Sequence, residues 1–169
     1  TAYEIRLSLV GSEMCIRDSF PARAPDLPRA LAAGRPVMAL FERASCAECV
    51  ELHREAFVRA EVRELLARFT LLHVDTRGSA PVVAGDGART TERDWARRLN
   101  VVGAPTIVFF ARDGSEAFRV EGYIRPFHVA AVLDYVASDA WRSEPSFQRF
   151  LQRRADAMRA AGKPVDLWK

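Results

Sequence analysis

The 169-residue sequence contains few cysteines, almost no lysine and no long uninterrupted apolar run. Three cysteines are too few for a small fold held together by disulfides, and a chain of this length can bury a sizeable core without them. No apolar stretch approaches the roughly 20 residues that a membrane-spanning helix requires, which excludes a transmembrane helix. Lys163 and Lys169 are the only lysines, a bias that a GC-rich coding sequence explains better than a function.

Positive charge is in slight excess, but it is mixed with negative charge along the chain. The formal net charge is +3, from 25 Lys and Arg against 22 Asp and Glu. Arginines alternate with acids at nearly every turn, as in residues 59–64, RAEVRE. Such patterning is typical of a solvated face, whereas a phosphate-binding surface needs a stripe of one sign. We therefore expect a globular domain with no nucleic-acid partner.

The first 19 residues differ in composition from the rest of the chain. They lack the Ala/Arg-rich texture that begins near Phe20, and Glu4 and Glu13 interrupt any secretory signal. Residues 4–19, EIRLSLVGSEMCIRDS, look like translated sequencing-adapter read-through. We expect residues 1–19 to be an artefactual or disordered leader, with any native signal peptide or anchor lost. Cys15 is then outside the chemistry.

From Phe20 onward, apolar spacing and turn residues predict one α/β domain over residues 20–169, with a core at about 28–137 and a C-terminal helical extension at 144–169. A polar, glycine-bearing loop is predicted at 76–89. Short apolar runs predict the strands 37–41, 70–75, 107–110 and 116–121. Helical spacing predicts the helices 27–33, 47–68 with a break near 59–60, 92–99, 126–136 and 145–160.

The motif Cys46-Ala47-Glu48-Cys49 follows the first strand and opens the next helix. At a helix N-terminus, unpaired N–H groups and the positive end of the dipole stabilise a thiolate, so this is a favourable place for a redox dithiol. Cys49, three residues on, faces the same side as Cys46 and can close a disulfide with it. The strand-to-helix context favours this interpretation over two inert buried thiols or half of a zinc site.

Zinc ligation is the main alternative chemistry for these residues. Cys46, Cys49, His53 and His73 have the side chains for it. However, His73 lies on a separate predicted strand with no Cys or His partner nearby, and His53 fits a helix-surface residue. We therefore expect no metal and no cofactor. His128 fits a solvated helix position, and Trp95 and Trp141 fit helix packing.

A second anchor is Pro105, in the run Gly103-Ala104-Pro105-Thr106 that leads directly into an apolar strand. Few X–Pro bonds are cis, so the tetrapeptide alone would not predict one. The order strand, Cys-x-x-C helix, strand, helix, Pro-Thr, strand, Asp-Gly hairpin and helix resembles the thioredoxin superfamily over about residues 28–137. The resemblance implies a central mixed four-stranded sheet flanked by helices, with the C-terminal helix as an addition, and a cis-proline beside the dithiol.

A narrower resemblance is to the SoxW-type thioredoxins of sulfur-oxidation gene clusters, which are similar to periplasmic thiol–disulfide oxidoreductases. It implies export to the periplasm, with a cytoplasmic location as the alternative. The residues that carry this resemblance lie at 51–55, 86–87, 90–92, 95–97, 122–126, 146–148 and 165–168.

The resemblance assigns Cys46 as the attacking thiol, Cys49 as the resolving thiol, and Pro105 with Ala104 as the substrate groove. Two positions depart from the general thioredoxin pattern. Ser45 stands where a Trp precedes the dithiol, and Leu40 replaces the buried acid of the central strand. Glu42, two residues along the same strand face, is a weaker candidate for proton transfer, and the alternative is a strand-end carboxylate satisfied by hydrogen bonds.

These residues predict a thiol–disulfide oxidoreductase whose substrate is a disulfide-bearing protein. We expect the oxidoreductase itself to be a monomer. The alternative is a non-enzymatic metal-binding or chaperone domain on the same fold. Ala47 and Glu48 place no positive charge between the cysteines, and with Glu42 they are the expected redox-tuning residues. A carboxylate at Glu48 disfavours a neighbouring thiolate, which favours a reductant over an oxidant. An exported protein of this kind needs an electron donor, and we expect a membrane-embedded thiol transporter of the DsbD type.

Overall fold

The fold is described from a computed structural model, which covers Phe20 and residues 23–167. The leader at 1–19, with Cys15, and the terminal Trp168 lie outside the described residues.

Four strands form the sheet at the centre of the molecule: β1 (Val37–Glu42), β2 (Thr70–Asp75), β5 (Thr106–Phe110) and β6 (Glu116–Glu121), in the order β2-β1-β5-β6. β1 pairs parallel with β2 and antiparallel with β5, and β6 pairs antiparallel with β5, so the predicted mixed sheet is confirmed. A separate two-stranded ribbon joins β3 (Pro81–Val83) to β4 (Arg89–Thr91).

Helices cover both faces of this sheet. Asp26 caps the first helix by accepting from the backbone N–H of Arg29 at 2.9 Å. Thr91 caps the helix Glu92–Arg98 in the same way, since its hydroxyl oxygen accepts from the N–H of Asp94 at 3.3 Å. The helices are α1 (Leu27–Leu31), α2 (Ala47–Glu51), a π-helical turn (Leu52–Ala56), α3 (Ala60–Leu66), α4 (Glu92–Arg98), α5 (Pro126–Ala137), α6 (Ala140–Ser143) and α7 (Phe147–Ala160).

The core lies in two layers, one on each side of β1, because alternate residues of a strand point to opposite faces. Met38 and Leu40 face the layer under the π-helical turn, α3 and α5. Ala39 and Phe41 face α1 and α4, where Trp95 packs against Phe41 with ring centroids 5.5 Å apart. All six residues of β1 are buried, which explains why this strand reads as a continuous apolar run.

The region 76–89 differs from its prediction. Instead of a wholly irregular loop, it contains β3 and leads into β4, and the two form a short antiparallel ribbon. Val82 and Ala84 are buried in the α1/α4 layer, and the N–H of Val83 donates to Pro25 O at 2.9 Å. Three-residue strands carry too few alternations to be detected as a period-2 pattern, so the sequence did not reveal them.

The long predicted helix at 47–68 is divided into three pieces. The predicted break near 59–60 is confirmed, since Arg59 is extended and begins α3 as its cap. In addition, the chain adopts the wider i→i+5 turn at Leu52–Ala56, a form often found at functional sites. Apolar spacing does not distinguish an α-turn from a π-turn, so this feature appears only in the structure.

The extra C-terminal helix α7 docks on the domain through apolar and ionic contacts, as the fold prediction required. Phe147 and Phe150 pack against Tyr135 of α5, with ring centroids 5.4 and 4.9 Å apart. Arg154 bridges Asp134 on α5 and Glu61 on α3. Within the described part of the chain, no helix is both long and apolar enough to cross a membrane.

Glu144 stabilises the start of α7 through hydrogen bonds to three residues of that region. Its carboxylate accepts from Arg149 Nη2 at 2.8 Å, from Arg153 Nη1 at 3.0 Å and from the N–H of Ser146 at 3.0 Å. Hydrogen bonding to Arg149 is the largest of the effects that lower the pKa of Glu144 to about 2.

This geometry generates a prediction for stability against pH. Because the folded pKa of Glu144 lies below its unfolded value of 4.5, its stabilising effect is present above about pH 4.5 and is lost as pH falls towards 2. We expect Glu144→Gln to lower the melting temperature at pH 6, and the gap from wild type to shrink as the pH falls through this window. Asp156→Asn, an exposed acid on the same helix, serves as the control. A gap independent of pH would contradict the assignment.

Candidate active site

Cys46 and Cys49 form a disulfide at the start of α2, with their Cα atoms 5.2 Å apart. Ser45, just before them, has φ of 57°, in the left-handed region that costs a non-glycine residue about 1 kcal/mol or more. This turn allows the chain to leave the buried strand β1 and place Cys46 at the helix N-cap. Both cysteines are largely buried, at 7% and 5% exposure.

The N-cap position supplies a hydrogen bond to the sulfur of Cys46. Its Sγ accepts from the backbone N–H of Cys49 at 3.2 Å. In the reduced state, the same N–H and the positive end of the helix dipole stabilise a thiolate on Cys46. The sequence prediction that placed the dithiol at a helix N-terminus is therefore confirmed by the structure.

The loop before β5 lies against the dithiol. The Ala104–Pro105 peptide bond is cis, as the sequence predicts, and Ala104 O lies 3.5 Å from Cys46 Sγ. A disulfide sulfur carries no proton, so this is a contact in the oxidised state; a reduced thiol can donate here. Thr106 fixes the loop, since its hydroxyl donates to Gly103 O at 2.9 Å and the residue is 1% exposed.

Apolar side chains around the dithiol were not singled out from the sequence. Val102, in the loop that carries the cis-proline, is 93% exposed, and Val50, next to Cys49, is 50% exposed. Most other large apolar residues among the described ones are buried. The available signal was the apolar pair Val101-Val102 directly before Gly103, which is not needed to continue a strand or a helix.

A carboxylate and two histidines meet at the end of β1. Glu42, at the end of β1, accepts from His53 Nε2 at 2.8 and 3.0 Å, and from His73 Nε2 at 2.9 Å. The Glu42 side chain is only 11% exposed. Burial alone would raise the pKa of Glu42, but hydrogen bonds from the two histidines outweigh it and hold that pKa below 4.5. The carboxylate is thus ionised at neutral pH.

This cluster corrects the sequence interpretation of both histidines. His53 does not project as an ordinary helix-surface residue, and His73 is not isolated. Both sit on the same face of the sheet as Leu40 and Glu42: Leu40 is in register with His73, and the π-helical turn brings His53 over the end of β1. A strand's register and a π-turn are decided by packing, so spacing along the chain could not reveal the meeting.

Ala47, Glu48 and Leu40 lie where the sequence placed them, whereas His128 does not. Ala47 and Glu48 are exposed in the first turn of α2, between the cysteines, and Leu40 is fully buried in the core where a thioredoxin carries an acid. His128 is half-buried on α5 rather than freely solvated, and burial lowers its pKa. Within Phe20 and residues 23–167, no three His, Cys, Asp or Glu side chains are grouped so as to hold a metal ion.

The chain resembles known proteins of one type. A family model for a thioredoxin-like domain matches residues 24–137. The thiol:disulfide interchange protein DsbD of Ralstonia nicotianae is 38% identical over 97 residues, which are 57% of this chain and 14% of that protein. The chain therefore matches a small part of the length of this relative.

Solved structures agree with this fold. A thioredoxin-fold protein from Helicobacter pylori superposes with a TM-score of 0.70 at 15% identity, over 88% of this chain and 99% of the other. A thioredoxin from Thermus thermophilus superposes with a TM-score of 0.51 at 29% identity, over 68% of this chain and 85% of the other.

The hydroxyl of Thr106 provides a test of how the loop is held. Thr106→Val removes a buried hydrogen bond and leaves Gly103 O without that donor, at a cost of about 1–3 kcal/mol. We expect a lower free energy of unfolding by urea and a several-fold slower reduction of a protein disulfide. Thr106→Ser keeps the hydroxyl and is expected to remain close to wild type in both measurements. Equal behaviour of the two variants would contradict this role.

Proposed function

The chain belongs to the thioredoxin-like family, and on that basis we propose that its Cys46–Cys49 thiol–disulfide oxidoreductase centre reduces disulfides in partner proteins. The observation that carries this proposal is the disulfide-forming pair at a helix N-cap, in contact with the carbonyl of a cis-proline loop.

The reaction is a dithiol–disulfide exchange in two steps. The Cys46 thiolate attacks one sulfur of the partner disulfide, which breaks the partner S–S bond and forms a mixed disulfide; the released partner thiolate takes up a proton. The Cys49 thiol then loses its proton and attacks Cys46 Sγ, which releases the second partner thiol. The partner gains two electrons and two protons, and Cys46–Cys49 becomes the disulfide.

The partner segment is proposed to bind beside the cis-proline. Ala104 offers backbone groups next to Cys46, and an extended peptide can pair with such an exposed stretch as an added strand. Val102 and Val50, which are exposed on the two chain segments around the dithiol, supply apolar contact area for it. This surface favours an extended, partly apolar substrate segment over a folded, highly charged one.

The reductive direction rests on the charges around Cys46. Ala47 brings no charge, and the Glu48 carboxylate lies in the first turn of α2, where a negative charge disfavours a thiolate on Cys46. Strong oxidants of this class instead stabilise the thiolate heavily, with a thiol pKa near 3.5 against about 7 in thioredoxin. The potential is therefore proposed to lie nearer roughly −270 mV than roughly −120 mV.

The electron donor and the compartment are part of the same proposal. The match to a segment of DsbD supports a place in an electron-transfer chain with a membrane thiol transporter of that type. A periplasmic location is part of the proposal: an exported protein needs a donor of this kind, because cytosolic reductases do not reach that compartment. Incubating the oxidised domain with a reduced DsbD-type transporter in vesicles, and following the loss of the Cys46–Cys49 disulfide, tests it directly.

The two-step exchange predicts different outcomes for the two cysteines. Cys49→Ala retains the attacking thiol but cannot resolve the intermediate, so a mixed disulfide with a protein substrate is expected to accumulate on non-reducing gels. Cys46→Ala, the matched control, is expected to trap far less, because Cys46 and not Cys49 holds the N-cap position where a backbone N–H stabilises a thiolate. Absence of any adduct with Cys49→Ala across several disulfide substrates would rule out the mechanism.

The reduction potential tests the direction. Equilibration of the purified domain with glutathione buffers is expected to give a value near that of thioredoxin, and a value above about −150 mV would reverse the assignment. Glu48→His removes a negative charge and can add a positive one, so it is expected to raise the potential by about 30 mV, a tenfold change in the equilibrium constant. Glu51→His, exposed one turn further on, is the matched control and should change it less.

A further inference from the structure

Two of the three histidines of the chain meet at a single buried carboxylate. The ion pairs described elsewhere in the molecule use arginine, as in Arg119–Glu116 and Arg112–Asp139. An arginine keeps its charge at every pH that a protein meets, whereas an imidazole gains and loses a proton near pH 6.5. Glu42 is therefore paired with imidazoles, the side-chain type suited to a pH-responsive ion pair.

Two residues of the cluster, Glu42 and His53, flank the dithiol in the sequence. Glu42 lies four residues before Cys46, and His53 lies four residues after Cys49, so the Glu42–His53 hydrogen bond closes a 12-residue segment with both cysteines inside it. His73 attaches the same carboxylate to β2. The cluster thereby links the strand end and the dithiol helix in one hydrogen-bonded unit.

Water has restricted access to this unit. The side chains of Glu42 and His53 are 11% and 24% exposed, and His73 is the most open at 42%. The ring of Phe20 lies against both imidazoles, with centroids 6.3 Å from His53 and 6.1 Å from His73. Charges in partly buried sites are screened less than charges at the surface, so a proton gained here acts on its surroundings.

We propose that Glu42, His53 and His73 form a pH-responsive charge site that tunes the reactivity of the Cys46–Cys49 dithiol, with all three acting as positioning residues. The proposal rests on the proposed function and extends it to regulation. When the histidines are neutral, the site carries the negative charge of Glu42. The first proton that an imidazole binds cancels that charge and a second leaves the site at +1, and each favours the Cys46 thiolate, so the reduced form gains stability in acid.

Other charged groups near the dithiol are either exposed or engaged elsewhere. Asp75 accepts from the N–H of Arg77 at 2.9 Å, and Glu55 accepts from the Tyr123 hydroxyl at 3.0 Å. The exposed charges on the elements around the cluster are Arg43, Glu48, Glu51 and Arg54. Arginine and glutamate side chains ordinarily keep their charges between pH 5.5 and 8, so these neighbours do not supply a pH response in that window.

Linkage provides the first test, on the unmodified protein. If the cluster favours the thiolate when protonated, then the thiolate must favour protonation of the cluster by the same factor. NMR titration of the imidazole signals from pH 5 to 8.5 is expected to show a proton affinity at His53 and His73 about fivefold higher in the reduced than in the oxidised protein. His128 on α5 is the internal control. Coincident titration curves for His53 and His73 in the two redox states would overturn the proposal.

Variants with opposite expected signs provide the second test. Alkylation of Cys46 by iodoacetamide, followed by mass spectrometry, reports its thiolate. The double variant His53→Gln, His73→Gln is expected to react about fivefold more slowly at pH 6, whereas Glu42→Gln should react faster than wild type at pH 7. All should converge at pH 9, and His128→Gln should follow wild type throughout. Loss of packing alone would shift both variants in the same direction, and that result would contradict the proposal.

Failure of this inference is distinguishable from failure of the proposed function. Reduction of insulin disulfides by the reduced wild-type protein tests the oxidoreductase itself. Turnover of insulin together with unchanged pH profiles in the variants would remove the charge site and leave the oxidoreductase. Lack of turnover would instead overturn the function on which the inference rests.

Discussion

Central strand β1 is the constraint on which the rest of this structure depends. It is hydrogen-bonded along both edges, to β2 and β5, and covered on both faces, so all six of its residues are buried. A strand held on four sides cannot shift its register without moving its apolar side chains out of the core. The C-terminal end of β1 is therefore placed accurately. Glu42 is its last residue, and the turn to Cys46 begins directly after it.

Two separate segments complete the reactive centre around that strand end. Ser45, in the left-handed conformation, turns the chain so that Cys46 caps α2 and accepts the N–H of Cys49. The cis-proline loop leads into the N-terminal end of β5. It is 58 residues from Cys46 in the sequence, yet its Ala104 O lies next to the Cys46 sulfur. Because β1 and β5 are adjacent in the sheet, their hydrogen bonding aligns the two segments. The dithiol and the groove are thus products of strand pairing as much as of their own motifs.

Charge is distributed differently inside and outside this centre. On the surface, arginines pair with acids in mixed-sign networks, including Arg97 with Asp94 on α4. Such exposed pairs contribute little each, and they keep their charges across the physiological range. At the end of β1 the pairing changes from arginine to histidine, since Glu42 accepts from two imidazoles, while Leu40, two residues earlier, is apolar and buried. The core keeps an apolar side chain where a thioredoxin buries a carboxyl, and the carboxylate lies at the strand end, where imidazoles can reach it.

The sequence by itself determined the α/β class, the order of the main elements and the dithiol, because each depends on local rules: apolar periodicity, helix caps, turn residues and a short motif. The thioredoxin fold and the cis-proline followed from the resemblance of that element order to a known family. The sequence also placed the boundaries of β2 and β6 correctly. The β3–β4 ribbon, the π-helical turn and the exposure of Val102 were decided by tertiary structure. So was the meeting of Glu42, His53 and His73, which are up to 31 residues apart in the chain. The physical reason is that strand register and helix packing, rather than sequence spacing, determine which distant polar side chains share a buried site.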